Sequence, residues 1–470
     1  FRRRFHAEDI VAEKVTVLRR PTMEPKSESA GLPISINIDR AVTRLELTPE
    51  FSVARGVYDV VANVDVQKRN GGQNGKVAIT SVLTPGDHLN AEFDFGGGRP
   101  LLVIADAVEA KGGALAGSLG LPSDQPFSLQ VQAKGQGSQG RFTALATSGA
   151  ITPVDASGAW TKDGGGAHGK VLLSASTLTK DLVARLGPDV QFAIKGAKAG
   201  AELYDLDAQV TSANLAVTAK GQANLGERRT GPAGVAINAS ARELSKVTGG
   251  PPMGLGRVDG VLTGSSADLR FAGTADVARL QLGDYGLDRV SGPFTFTRRK
   301  DVLAIEGRIT GAGGRGTGLA AALLGARPTA AFDAARLADG RLLLRDLQAT
   351  GAGLKVNASG GRNLLGGLNF KGQAQFSNLA AARTGAAGSL SADWSAVQAR
   401  AGRPWNLSLD ARGAHFASGF SDLDRLLGPA PRLQAQANVD GRKVSVSNGT
   451  LNGAAIRAET AGVLGADGAL

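Results

Sequence analysis

Two glycine-rich segments are the places where residue types and spacing approach a phosphate-binding motif. The first, Gly164 to Lys170, has the GxxxxGK spacing of a phosphate loop, which surrounds phosphates with backbone N–H groups and a lysine. The next residue is Val171, where such a loop needs Ser or Thr to hold magnesium. The residues that follow have a strand pattern, whereas a phosphate loop opens a helix. We therefore do not predict a phosphate loop here.

The second segment matches GxGxxG through Gly311, Gly313 and Gly316. It lies between a strand-like stretch and residues compatible with a helix, and Asp333 follows at a distance that a dinucleotide site would tolerate. Nothing else in the chain has a βαβ pattern, and similar glycine clusters end strands throughout. We interpret this segment as a turn.

The remaining chemistry-bearing residues form no recognisable catalytic or metal-binding set. The four histidines are scattered singly, without metal-ligand spacing or a local Ser/His/Asp cluster: His6, His88, His168 and His415. Cysteine is absent, which removes disulfides, Cys-ligated zinc, iron–sulfur clusters and thiol catalysis. Paired catalytic carboxylates cannot be identified, and the three tryptophans are interpreted as packing residues or rim anchors. The sequence thus predicts a protein that is not an enzyme and uses no cofactor or metal.

The charge of the chain limits its partners. The formal net charge is +11, which suits nucleic acid, anionic lipid headgroups or an acidic protein, or merely keeps an extended surface soluble. The dense basic runs are Arg2-Arg3-Arg4 and Arg298-Arg299-Lys300, and neither is interleaved with aromatic residues. We therefore expect no nucleic acid binding.

Short strands with alternating apolar and polar residues dominate the chain. Leu129, Val131 and Ala133, for example, alternate with Gln130 and Gln132. This period of two gives each strand one apolar and one polar face. The 66 glycines supply frequent turns, and one strand per roughly 15 to 17 residues predicts about 28 to 31 strands. Two short helices are expected, at 176–186 and 421–427, each ended by Gly-Pro.

One module recurs at wide intervals. Its best copies are Leu186 to Gly221, Leu324 to Gly360 and Leu427 to Gly462, each of which opens with Leu-Gly and closes on an alternating stretch. The copies begin 324 − 186 = 138 and 427 − 324 = 103 residues apart, close to four and three multiples of about 34 residues. Self-similarity of this kind predicts an all-β architecture that grows by stacking. We divide the chain into an opening segment with a polar loop, 1–31, and a continuous repetitive β-groove, 32–470, without a clear internal boundary.

The apolar faces of these strands need a partner surface. A second sheet or helices would have to cover them, and helical cover is scarce in the sequence. Either the sheet folds over on itself, or the apolar face forms a groove that something else occupies. The residues predicted to line this groove are Ile36, Ile38, Val60, Val64, Phe93, Phe95, Leu129, Val131, Phe192, Ile194, Leu215, Val217, Phe294, Phe296, Leu354 and Val356.

Three segments of the sequence, 32–40, 119–135 and 427–439, resemble sequences of the TamB family, which belongs to the wider AsmA-like group. The resemblance lies in these segments and in the regular spacing of short strands along most of the chain. It implies an elongated, curled β-sheet, a β-taco with an apolar interior, whose periplasmic body is anchored in the bacterial inner membrane. It also implies an outer-membrane partner, a BamA-type barrel similar to TamA. Since the chain begins at Phe1 and its longest apolar run is Leu319 to Leu324, we expect the anchor and the barrel-binding region to lie outside this sequence.

The leading functional hypothesis is bridge-like phospholipid transport between the inner and outer membranes through the apolar groove, contributing to outer-membrane biogenesis. The alternative is a chaperone or scaffold for outer-membrane protein assembly or autotransporter secretion, which offers sheet edges to client strands. A third hypothesis is a structural or adhesive β-solenoid with a filled interior.

Overall fold

The structure, a computed structural model, describes residues 4–19, 34–67, 71–111, 113–441 and 443–464. Contacts group the chain into two compact units, Phe1–Gly226 (unit 1) and Glu227–Leu470 (unit 2). The sequence by itself predicts no boundary at this point.

The strands of unit 1 are β1 (Arg4–Val17), β2 (Ser35–Leu47), β3 (Gly56–Val66), β4 (Gln73–Ser81), β5 (His88–Phe95), β6 (Leu101–Glu109), β7 (Phe127–Gln136), β8 (Gln139–Ser148), β9 (Ile151–Thr161), β10 (Gly164–Leu172), β11 (Asp189–Lys198), β12 (Leu203–Ser212) and β13 (Leu215–Asn224). Those of unit 2 are β14 (Arg229–Ala241), β15 (Gly256–Gly264), β16 (Asp268–Leu282), β17 (Tyr285–Arg299), β18 (Val302–Ala312), β19 (Arg315–Gly316), β20 (Thr329–Arg336), β21 (Leu342–Thr350), β22 (Leu354–Arg362), β23 (Gly366–Phe376), β24 (Ala387–Arg400), β25 (Trp405–Ala417), β26 (Arg432–Asp440), β27 (Lys443–Asn452) and β28 (Arg457–Leu464). The helices are α1 (Pro49–Ser52), α2 (Ala114–Ser118), α3 (Lys180–Leu186), α4 (Leu244–Thr248), α5 (Gly318–Leu324), α6 (Leu379–Ala382) and α7 (Ser421–Leu427).

The predicted fold class is confirmed: the chain is mostly β, built as an open, curled sheet with a few short helices. In unit 1 each strand pairs with the next along the chain, and every pairing after β1–β2 is antiparallel. In unit 2 the pairings from β14 to β28 are antiparallel as well, with β18 paired to β20 and the short β19 beside β17. Local hairpin pairing follows from the short glycine-containing turns between alternating segments.

All seven helices of the described chain lie in connections at the same end of the strands within their unit, which we call the helical edge. In unit 1, α1 joins β2 to β3, α2 joins β6 to β7, and α3 joins β10 to β11. In unit 2, α4 to α7 take the corresponding connections, from β14–β15 to β25–β26. The opposite end, which carries short turns, is called the turn edge. Alternate connections of an antiparallel sheet return to the same edge, so the arrangement follows from the strand order.

The best-buried apolar clusters lie at the helical edge. In unit 1, Tyr58 and Leu47 pack with Ala114 of α2, and Phe127 and Ala107 pack with Ala116 of the same helix. In unit 2 a third cluster joins Tyr285 and its neighbours to α5. The helices therefore cover the strand ends at this edge.

The repeated module of the sequence has a structural counterpart. Each copy contains the last residue of a helix and the following three strands: β11–β13, β20–β22 and β26–β28. The glycine after each helix has a positive φ, 103° at Gly187, 68° at Gly325 and 65° at Gly428, a backbone conformation that favours glycine and ends the helix at this residue. The last helical carbonyl then accepts a hydrogen bond from the turn before the third strand, as in Ala454 N to Leu427 O at 2.9 Å.

Several local predictions need correction. The helix expected at 421–427 is confirmed, and that at 176–186 begins with a 3₁₀ turn, Thr177–Thr179, before α3. Of the other five helices, α5 falls on the helix-compatible stretch that follows Gly316. The remaining four span only 4 or 5 residues, too few to show a 3.6-residue period in the sequence. The opening segment contributes a strand, β1, parallel to β2. Residues 20–31 of the polar loop lie outside the described residues.

Candidate functional site

Neither glycine motif forms a nucleotide site in this fold. Gly164 to Lys170 lie within the extended strand β10, without a helix start beside them. Around Gly311, the strands β18 and β20 run antiparallel, whereas a dinucleotide fold needs a parallel pair. Among the described residues, no group of three or more His, Asp or Glu side chains is arranged to hold a metal ion.

The register of the strands collects the predicted groove residues of unit 1 on one face. Residues directly opposite each other in an antiparallel pair lie on the same side of the sheet. Val131 lies opposite Ala105 and Ala144, while its neighbour Gln132 lies opposite Ile104 and Thr143. Followed from strand to strand, the same pairing connects the unit 1 candidates: Ile36, Ile38, Val60, Val64, Phe93, Phe95, Leu129, Val131, Phe192, Ile194, Leu215 and Val217. We call this side the apolar face and the other the polar face.

Unit 2 has an apolar face of its own. Phe294 and Phe296 share it with their partners on the adjacent strands, Gly273 and Phe271. Following the pairings onward, Leu354 and Val356 lie on this same side. The register thus brings the sequence-predicted candidates of each unit together.

Most of these apolar side chains remain partly open to solvent. Fifteen of the sixteen candidates are half-buried, and Ile194 is 44% exposed. A filled sandwich core would bury such residues almost completely. Away from the helical edge, the large aliphatic side chains of both apolar faces therefore present an accessible hydrocarbon surface.

Aromatic rings lie over glycines on the apolar face. A Cβ placed on Gly75 would come within 2.9 Å of the Phe93 ring, and one on Gly260 within 2.5 Å of Phe271. Trp394 occupies the same position over Gly372, at 2.9 Å. The ring takes the place that a side chain would fill, so it adds apolar surface close to the sheet. Tryptophans at these sites act as packing residues, as the sequence suggested for Trp160, which covers Gly135 and Gly140.

The polar face is lined by ion pairs between neighbouring strands. Lys76 contacts Glu92 at 3.0 Å, and Lys220 contacts Asp207 at 3.0 Å. In unit 2, Arg432 and Arg412 hold the pKa of Asp410 down at about 2, chiefly through the hydrogen bond from Arg432. A depression of about 600 Å³ on this face is lined by Arg345 and Asp410 among other polar residues. Arg345 pairs with Asp333, and Asp410 pairs with Arg432. The paired charges keep this side hydrated.

A buried carboxylate at the helical edge was not found from the sequence. Glu109 is 1% exposed, and its oxygens accept hydrogen bonds from the Tyr58 hydroxyl and from the N–H groups of Leu115 and Ala116. Burial, followed by the charge of Glu109, raises the pKa of Tyr58 well above its ordinary value. These three hydrogen bonds attach α2 to β3 and β6 of the sheet. In the sequence, Glu109 could be recognised because it occupies a position of β6 at which the alternation predicts an apolar residue.

None of the helices within the described residues combines the length and apolar character that a membrane crossing requires. Comparison with protein-family models, with curated proteins and with solved structures gives no match for this chain.

Proposed function

We propose that the apolar faces bind the acyl chains of phospholipids and carry them between the inner and outer membranes of a bacterial envelope. The proposal rests on one observation: one side of the sheet presents an accessible hydrocarbon surface, to which Val131 and Val217 belong. The helices cover this surface only at the helical edge. Each CH₂ group transferred from water to such a surface gains about 0.8 kcal/mol. No catalytic step is needed, because a lipid moves along a surface on which neighbouring positions are equivalent.

The fold suits this task in a second respect. Hairpin strands repeat the same apolar and polar alternation within each unit, so the apolar face extends across the strands while the ion pairs keep the opposite side hydrated. With the function we propose the compartment, the periplasm, and an outer-membrane partner, a BamA-type barrel. The resemblance to the TamB family supports both.

Lipid loading tests the proposal. The purified chain is incubated with phosphatidylethanolamine and phosphatidylglycerol vesicles, separated from them, and analysed for bound lipid by native mass spectrometry. We expect bound phospholipid in the wild type and a marked loss in Val131→Glu and Val217→Lys, since a charge in the apolar face is costly to desolvate. The matched controls Gln132→Glu and Thr218→Lys place the same charges one residue away, on the polar face, and should retain the lipid.

The alternative function, a chaperone for outer-membrane β-proteins, predicts a different result. The chain would then bind unfolded barrel segments and would carry no lipid. Equal lipid loading of the face variants and their controls would also contradict the transport proposal. The exposed edge strand β1, in which Val11 is 72% exposed, is the feature that favours strand addition.

A further inference from the structure

A row of alternating leucines and arginines crosses the apolar face of unit 2 near its turn edge. Successive cross-strand partners form this row in the order Leu269, Arg298, Leu303, Arg336, Leu342, Arg362 and Leu368. The arginines fall on every second strand, and at about 4.8 Å per strand they repeat every ~9.6 Å. We call Arg298, Arg336 and Arg362 the arginine row.

The arginine row belongs to the apolar side of the sheet. Two residues inward on the same strands lie Phe296, Ala334 and Gly360. Their cross-strand partners are also apolar, as in the pairs Phe296–Ile305 and Gly360–Phe370. Two residues of a strand span about 6.8 Å, so each guanidinium stands one short step from continuous hydrocarbon surface.

The arginine row has no acidic partner within the described part of the chain. The three side chains of the row are exposed. Within the described residues they make one hydrogen bond, which Arg298 Nε donates to the Lys300 carbonyl oxygen at 3.1 Å. Arginines on the polar face of the same unit differ, since Arg345 pairs with Asp333 at 3.3 Å and Arg432 with Asp410 at 2.6 Å. The arginine row therefore offers guanidinium groups that no carboxylate of the described residues neutralises.

We infer that the arginine row binds the phosphate of a phospholipid whose acyl chains lie on the apolar face of unit 2. This inference rests on the proposed function. A guanidinium forms paired hydrogen bonds with phosphate oxygens, and the hydrocarbon surface begins where the acyl chains of such a lipid would start. Leucines lie between the arginines of the row, and one of them, Leu342, is 43% exposed. These leucines provide apolar surface between neighbouring phosphate positions.

Soluble short-chain lipids test this inference. Binding of dihexanoyl phosphatidate, dihexanoyl glycerol and inorganic phosphate to the full chain is measured by isothermal titration calorimetry. The test variant carries Arg298→Gln, Arg336→Gln and Arg362→Gln. Its matched control carries Arg257→Gln, Arg270→Gln and Arg308→Gln, which remove the same charge from exposed positions on the polar face of unit 2.

We expect the test variant to bind phosphatidate about tenfold more weakly than the wild type, with binding of dihexanoyl glycerol unchanged. The control should bind both lipids as the wild type does. The inference would be overturned if the test variant bound phosphatidate as tightly as the wild type does, or if the test and control variants lost the same amount of affinity for phosphatidate. Either result would leave the acyl-chain site intact. An equal loss of inorganic phosphate binding would identify a free-phosphate site instead and would also overturn it. Absence of dihexanoyl glycerol binding by the wild type would contradict the proposed function itself.

Discussion

The hydroxyl of Tyr58 on β3 donates a 3.0 Å hydrogen bond to Oε1 of Glu109 at the end of β6. The same carboxylate accepts the N–H groups of Leu115 and Ala116, at 2.8 and 2.7 Å. One buried carboxylate thus joins two strands of unit 1 to the helix that covers their ends. The helical edge depends on this polar contact as well as on apolar packing.

Replacing Glu109 with Ala should therefore loosen α2. The change removes the acceptor from three donors, of which the Tyr58 hydroxyl and the Ala116 N–H are buried, and each buried unsatisfied group costs roughly 1–3 kcal/mol. We expect hydrogen exchange of the amides at 113–118 to accelerate at least about tenfold, and Tyr58→Phe to have a smaller effect because it removes one of the three bonds. Gln132→Ala, on the exposed polar face, is the control and should leave these amides unchanged. Equal protection in Glu109→Ala and the wild type would contradict the role assigned to Glu109.

The Asp410 cluster predicts a pH dependence of stability. Its pKa in the folded chain is about 2, below the ordinary 3.8, because the aspartate accepts hydrogen bonds from Arg432 and Arg412. A lowered folded-state pKa stabilises the fold above the unfolded-state pKa, and this contribution disappears as the pH falls from about 4 through 2. Thermal melting of the wild type and Asp410→Asn should therefore differ at pH 5 and converge near pH 2. A difference that stays constant between these pH values would contradict the assignment.

Much of the apolar face could be predicted from the sequence, because alternation determines which residues share a side of their own strand. Leu129 and Val131 needed no structure to be placed together. The arginine row could not be found in this way, since Arg298, Arg336 and Arg362 lie on different strands and become neighbours only through the register of the successive strand pairs between them. In the sequence, Arg298 stands out only as part of the basic run Arg298-Arg299-Lys300. Its position in phase with Phe294 and Phe296 is the signal that assigns it to the apolar face.

The glycines beneath aromatic rings should resist substitution. Gly260→Val would force the buried Phe271 ring away from the sheet, and overpacking of this kind costs about 1–3 kcal/mol. Gly462→Val is the matched control, because Gly462 also lies in a strand and has open space where its side chain would be. We expect a lower urea midpoint for Gly260→Val alone. Equal midpoints for the two variants would show that the ring can move without cost.

Whether acyl chains lie on the apolar face can be measured by a photo-crosslinking scan along β7. A photoreactive amino acid is placed in turn at residues 129 to 133, and crosslinking to phospholipid is measured after loading. If acyl chains lie on this face, we expect crosslinks at Leu129, Val131 and Ala133 and few at Gln130 and Gln132, since alternate side chains point to opposite faces of the sheet. Crosslinking without this period of two, or none at the three apolar positions, would contradict this placement of the acyl chains.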